Sequence, residues 1–290
     1  MALFLQFTIN GIMIGSIYAL LAVGIVLIYK SSKIFNFSAG ELSMFGAFFL
    51  WTFLSSMKLP LVLSLIFTML AVGIVAYLME RFAIHPLIGQ PLLSILLVTL
   101  GLSHMLEGLA MFMWGGYAEN LPQFLPGKPV IIGDIIIAND LLWAFGISIS
   151  LLIVLLLFFK YTRVGLAMRA VAEDHQTAQA RGINVSMIFG ITWFIAGSIA
   201  SIGGMLLAYR LGVSQFLADI SLKAFPVVLI GGLESVVGAF IGGIIVGVIE
   251  NLAGGFIAPW LIDVTPYVIL ILVLFVRPEG LFGLKRIERI

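Results

Sequence analysis

A helix needs roughly 20 mostly apolar residues to cross a bilayer, and the chain offers such runs at about 3–29, 38–57, 60–82, 91–114, 140–159, 185–208, 234–254 and 259–276. Two links between them are long. Residues 115–138 hold Pro122, Pro126 and Pro129, which forbid a helix there, and VIIGDIII around Gly133-Asp134 predicts a small hairpin. Residues 160–184, KYTRVGLAMRAVAEDHQTAQARGIN, are the longest polar run between apolar blocks. Asp174 is a candidate N-cap there and Gly182 a candidate left-handed stop, followed by Asn184, so 175–181 is predicted to be a short helix lying on the membrane surface.

One stretch departs from the pattern. In 209–232, YRLGVSQFLADISLK is too polar to cross and AFPVVLIGG is too short. Irregular backbone at membrane depth is tolerated only where it is buried in protein or lines a cavity. This stretch therefore reads as an irregular segment entering the membrane, followed by a half-helix. The fold expected is an all-α polytopic membrane protein of about 8–9 transmembrane helices, one of them broken, in a single domain covering 1–290.

Small residues recur at helical spacing: Gly11, Gly15 and Ala19; Gly197, Ala200, Ser201 and Gly204; Gly238 and Gly242 beside Ala239, Gly243 and Gly247. Such ridges let helix backbones approach closely in lipid. GELSMFGAF (40–48) and GLESVVGAF (232–240) echo each other, either as the trace of an internal duplication or as chance likeness between small-residue helices.

Composition agrees with a membrane protein. Of 290 residues, 62% are hydrophobic and 10% charged, and mean hydropathy is +1.20, against about 25% charged in a soluble domain. The net charge of +1 gives no case for nucleic-acid binding, and the absence of cysteine excludes disulfides, thiolate metal sites and cysteine nucleophiles. The opening MALFLQFTIN has neither a basic n-region nor a small-residue cleavage site downstream, so the first apolar block is expected to be retained as a span.

Charge sets the expected orientation. Four of the 15 Lys and Arg lie in 160–184: Lys160, Arg163, Arg169 and Arg181. Short basic loops face the cytoplasm. With this loop inside, and with 223–232 completing a crossing, the N-terminus is outside and the C-terminus inside. Lys30, Lys33, Arg81, Arg277, Lys285, Arg286 and Arg289 then join the inner side, and Lys58, Lys128, Arg210 and Lys223 fall outside or near it.

Catalytic signatures are missing. The chain holds no G-x-x-x-x-G-K-[ST] phosphate loop and no H-E-x-x-H, and His85, His104 and His175 are far apart in sequence. Energised work would need a partner's energy. His104 and Glu107, at i and i+3, suit either a relay or pathway lining or a packed pair near the outer third of a helix; one pair alone favours packing. Glu41 fits a capping box with Ser38 at the start of the second span. Glu250 reads as interfacial, and Glu234 as the acid at a helix start. Asn36, Ser38, Gln215 and Asp219 are the better candidates for lining a pathway. A pump or secondary transporter usually shows several acids in mid-span, and their absence favours a conduit driven from outside its own sequence. No cofactor is expected.

IYKSSKIFNFSAGELSMFGAF, RVGLAMRAVAEDHQTAQARGIN, KAFPVVLIGGLESVVGAFIGGIIVG and RPEGLFG occur in that order. Together they resemble the branched-chain amino-acid ABC transporter permeases of the LivH type, over essentially the whole chain. Ala39 stands where that family's NFAHGE motif has histidine, so no role attaches to that position. The resemblance implies an inner-membrane, multi-pass subunit forming half of a translocation pathway. Its implied partners are a second, LivM-type permease, two cytoplasmic ATPase subunits and an extracytoplasmic substrate-binding protein. It also implies that 160–184 is the coupling loop, with Arg169, Glu173, Asp174, Arg181 and Gly182 meeting the ATPase. The rival reading is a secondary transporter or channel for a small polar solute.

Overall fold

The computed structural model describes residues 1–116, 118–125 and 127–283; Pro126 and the basic tail residues Lys285, Arg286 and Arg289 lie outside that range. In chain order the elements are α1 (Ala2–Ser32), α2 (Ala39–Trp51) continued by a π turn (Thr52–Ser56), and α3 (Leu61–Met79) continued by a π turn (Glu80–Ile84) and a 3₁₀ turn (His85–Leu87). Then come α4 (Leu92–Trp114), strands β1 (Val130–Ile132) and β2 (Ile135–Ile137), α5 (Asn139–Tyr161), α6 (Arg163–Glu173) and α7 (His175–Ala180). The chain continues with α8 (Val185–Leu211), α9 (Phe216–Ser221), α10 (Ala224–Gly231), α11 (Val236–Phe256) and α12 (Leu261–Val276).

Among the described residues six helices are long and apolar enough to cross a membrane: α1, α3 with its continuation, α4, α5, α8 and α11; α12 is a shorter apolar helix. The all-α polytopic expectation therefore describes the chain. The expected half-helix is α10, and its separation from α9 has a local cause. Pro226 has no N–H to give to Leu222, so the chain tightens there, with Phe225 N–H bonded to Leu222 O at 3.0 Å.

α1 is the central element, buried along most of its length and packed on α11, α8, α5 and α10. The small-residue ridges explain why. A Cβ on Gly15 would lie 2.3 Å from the Gly243 carbonyl, and one on Gly247 would lie 2.4 Å from the Gly11 carbonyl. The second ridge of α11 meets α10, where Gly238 and Gly231 touch backbone to backbone. On α8, Gly197 abuts Val72 and Ala76 of α3, and Gly204 abuts the Ser43 backbone of α2. Around this core α3, α4, α5 and α12 carry exposed Leu, Ile, Val and Phe side chains, such as Leu93, Phe112, Val154 and Phe275, as lipid-facing helices do.

The segments 40–48 and 232–240 differ in local backbone structure. Gly40–Phe48 is helical throughout, whereas Gly232 has φ +104 and the second helix starts only at Val236. The predicted hairpin is present, with Val130 opposite Ile137 and the turn at Gly133. Gln6 pins it to the start of α1 by accepting the Ile136 N–H at 2.8 Å.

Overpacking a tight core costs typically 1–3 kcal/mol. Gly15→Val should therefore lower the thermal midpoint of the detergent-purified protein by several degrees. Gly101→Ala on α4, where a Cβ meets nothing within 4 Å, should leave it unchanged or slightly raised. Equal midpoints for the two variants would refute the close-approach account of the α1–α11 seam.

Candidate functional site

α2 begins with an Asx turn. The Asn36 side-chain oxygen accepts the Ser38 N–H at 3.2 Å and the Ser38 hydroxyl at 2.6 Å. The capping box expected between Ser38 and Glu41 does not form, because the Ser38 hydroxyl is already committed to Asn36 and caps no helical N–H. Glu41 is released from that role and turns to α4, where its Oε1 accepts the Ser103 hydroxyl. α9 docks on the same turn. Gly40 lies against the Ala218 carbonyl, and the Ser43 and Ser221 hydroxyls are 2.6 Å apart.

These contacts leave a cavity of about 530 Å³ between the start of α2, α4, α9, α10 and α12. Its polar lining includes Glu41, Ser103, His104, Glu107, Gln215 and Asp219; its apolar lining includes Phe37, Leu100, Leu222, Phe225 and Tyr267. Of the four residues predicted from sequence, Gln215 and Asp219 reach this lining. Asn36 and Ser38 are fully buried on either side of Phe37, off the cavity surface. His104 and Glu107 are not the packed pair the sequence favoured. Their side chains are 81% and 55% exposed, 3.5 Å apart, and face the cavity. Two buried polar atoms of the lining, Glu41 Oε2 and Gln215 Nε2, have no hydrogen-bond partner among the described residues, and neither does Asn36 Nδ2 behind it. Buried polar groups are normally satisfied, so the idle Glu41 and Gln215 atoms leave the lining able to take a polar group.

At one end the cavity is bounded by aromatic rings. Phe37 and Phe225 lie 5.3 Å apart, Phe35 stacks on Phe225 at 5.1 Å, and Tyr29 touches Phe35. This chain of rings leads to the Lys33–Glu234 ion pair, 2.6 Å, at the far end of α1. At the other end the 115–138 loop is tied to the α8–α9 junction by paired backbone bonds between Glu119 and Val213.

Behind α9 and α10 lies a charge cluster that the sequence did not reveal. Glu250 and Lys223 are both buried within the protein. Lys223 Nζ sits 3.0 Å from Glu250, 3.1 Å from Asp263 and 3.2 Å from the Ile262 carbonyl, and the Tyr18 hydroxyl donates to Glu250 at 3.1 Å. Lys223 occupies the break between α9 and α10, so the ion pair fixes the broken segment to α11 and α12. Among the described residues no His, Cys, Asp and Glu group could hold a metal ion.

The second candidate region is the polar stretch 160–184. The sequence showed α7; it did not show α6, a helix of about three turns capped by Thr162, whose hydroxyl accepts the Gly165 N–H at 2.9 Å. The signal was available in that cap and in the spacing of Val164, Met168 and Val171, which are buried or half-buried on one face. Asp174 caps α7 by accepting the Thr177 N–H at 2.5 Å. α7 ends in a Schellman motif. Gly182 is left-handed at φ +83, the Ile183 N–H bonds to Ala178 O at 3.1 Å, and the Gly182 N–H bonds to Gln179 O at 2.9 Å. Thr177, through its side chain and then its backbone N–H, holds the Asp174 carboxyl below the usual carboxylate range. A depressed folded-state value means the cap's contribution is present above the unfolded value near 3.9. It is lost only as pH falls through the lowered one, so the cap is intact at any physiological pH.

Met168, Val171 and Ala178 seat the α6–α7 pair on Ile188 and Phe189 of α8, and His175 bonds to the Ser31 carbonyl at 2.9 Å. Ala178 thus faces the protein and not solvent. Arg169, Glu173, Asp174, Arg181 and Gly182 are all exposed on this one unit.

The family model described as branched-chain amino acid transport system / permease component matches residues 7–274. The chain is 32% identical to the high-affinity branched-chain amino acid transport system permease protein BraD of Pseudomonas aeruginosa, over 99% of this chain and 98% of that protein. It is 29% identical to the corresponding permease protein LivH of Escherichia coli strain K12, with the same coverage. Among solved structures it resembles PsaBC from Streptococcus pneumoniae in complex with Fab, at a TM-score of 0.51 and 14% identity, over 96% of this chain and 92% of that one, a likeness of fold alone.

Proposed function

Since the chain belongs to the branched-chain amino acid transport permease family, we propose that it imports leucine, isoleucine, valine or related amino acids as one permease of an ABC importer. It is a multi-pass membrane transport subunit rather than an enzyme. It sits in the inner membrane with the N-terminus outside and the C-terminus inside, crossing nine times when α2, the α9–α10 pair and α12 are each counted as a passage. A second, LivM-type permease supplies the other half of the pathway. Two cytoplasmic ATPases supply the energy and an extracytoplasmic binding protein delivers the solute. The cavity between α2, α4, α9 and α10 is this subunit's share of the pathway, bordered by Gln215 and Asp219 and backed by Asn36 and Ser38. Arg169, Glu173, Asp174, Arg181 and Gly182 meet the ATPase.

The observation that carries this reading is the α6–α7 unit. It is capped at each helix start, ended by a glycine stop and seated on α8, yet it presents its charged side to solvent. A rigid exposed lever on a chain without a phosphate loop is what an externally driven permease needs, and a channel has no use for it. The test is co-expression with the neighbouring subunits. Leucine uptake into proteoliposomes should require ATP and all partners, whereas uptake by this chain alone would favour a secondary transporter or channel.

Orientation has its own test, made simple by the absence of cysteine. Thr177 and Gln123 are both exposed in the fold. In intact spheroplasts an impermeant thiol reagent should label Gln123→Cys and leave Thr177→Cys untouched until the membrane is opened. The reverse pattern overturns the N-out arrangement.

A further inference from the structure

We infer that Glu41, oriented by Ser103, forms a subsite in this cavity for the ammonium group of the transported amino acid. The inference rests on the cavity being part of the pathway. Glu41 is 7% exposed, lines the cavity, and has one oxygen engaged by Ser103 while the other finds no partner among the described residues. A buried carboxylate with an idle oxygen is costly unless a cation or a donor completes it. The surroundings are of one sign: Glu107 and Asp219 share the lining, and His104 is the one basic side chain among the described lining residues. Among the described residues no lysine or arginine pairs with Glu41, whereas Lys223 pairs with Glu250.

The rest of the lining suits an aliphatic body. Phe37, Leu100, Leu222 and Phe225 form an apolar wall beside the acid, and the volume, about 530 Å³, lies within the usual range for small-molecule pockets. An alkylammonium fits both features at once, with its charge on Glu41 and its chain on the rings. A bare metal cation would use the acid and leave the apolar wall idle. The subsite would thus screen solutes a second time, after the binding protein has released them.

The test uses the assembled transporter in proteoliposomes, with Leu100→Cys, one turn from Ser103, as a reporter for an impermeant thiol reagent. Leucine and 3-methylbutylamine should slow labelling. 4-Methylpentanoate, which lacks the ammonium group, and sodium or potassium chloride should not. Glu41→Gln should raise the half-protecting concentration of leucine at least tenfold and Ser103→Ala severalfold, both with unliganded labelling within twofold of the parent. If Glu41→Gln disturbs unliganded labelling, Ser103→Ala decides alone. Protection that survives intact in the variants, equal protection by 4-methylpentanoate or by sodium, or labelling that no ligand slows would each overturn the subsite and leave the pathway standing. A cysteine at 100 that never labels would remove the pathway reading itself, and the subsite with it.

Discussion

Replacing Lys223 by methionine should destabilise the protein by about 3–5 kcal/mol, the usual cost of stripping one partner from a buried ion pair. The Lys223 and Glu250 side chains are 9% and 2% exposed. Removing the ammonium leaves the buried Glu250 carboxylate with only the Tyr18 hydroxyl as a hydrogen-bond partner among the described residues. Glu250 is on α11 and Lys223 sits where α9 meets α10, so the loss also frees the broken segment that walls the cavity. The expected readout is a fall in yield and a thermal midpoint lowered by several degrees. Two companion variants assign the cause. Lys223→Met with Glu250→Gln removes both charges and should recover most of the loss. Asp263→Asn touches the same lysine at an 81%-exposed carboxylate and should cost no more than about 1 kcal/mol, as exposed pairs do. A single Lys223→Met variant as stable as Asp263→Asn would show that the pair does not hold the segment.

This cluster also shows where sequence reading stops. Lys223 and Glu250 are 27 residues apart on different elements, and a hydropathy profile scores each charge singly, so their pairing was not legible. Only packing reveals that one neutralises the other. Glu41 failed differently. The S-x-x-E pattern is a sound local signal, but the Ser38 hydroxyl had a nearer acceptor in Asn36, and Glu41 found Ser103, 62 residues away. Features set by local backbone chemistry were legible. Asp174 and Gly182 bound α7 as their residue types predict, and Gly133 turns the β1–β2 hairpin. The glycine ridges were legible too, because spacing of three and four places small residues on one face whatever their partner. Which ridges would mate, Gly11 and Gly15 with Gly243 and Gly247, was not. The cavity was half legible: Gln215 and Asp219 stood out as polar residues in a stretch that could not be a plain helix, whereas His104 and Glu107 needed the fold to show them facing open space.

The coupling unit should tolerate loss of its shape least of all. α7 has six residues, far below the length at which a helix is stable alone, so it depends on its two ends. Gly182→Val places a β-branched side chain at φ +83, where a Cβ costs roughly 1–2 kcal/mol through its own backbone. Nothing lies within 4 Å of the added atom, so no steric effect on the membrane core confuses the result. The Schellman bonds to Ala178 and Gln179 should open, and Arg181 should lose its fixed position. Glu173→Arg reverses an exposed charge at the α6–α7 junction without disturbing a cap. In both variants substrate-stimulated ATP hydrolysis and recovery of the ATPases with the permease should fall severalfold, while membrane orientation stays as in the parent and the thermal midpoint of the isolated permease changes little, because opening the end of α7 releases the strain locally. Gly182→Asn, which accepts a left-handed backbone more readily, should retain most of the coupling, because the defect comes from backbone shape and not from side-chain bulk. Parental hydrolysis and full ATPase recovery in both Gly182→Val and Glu173→Arg would place the lever elsewhere, with residues 30–41 and the exposed turn at 85–91 next in line.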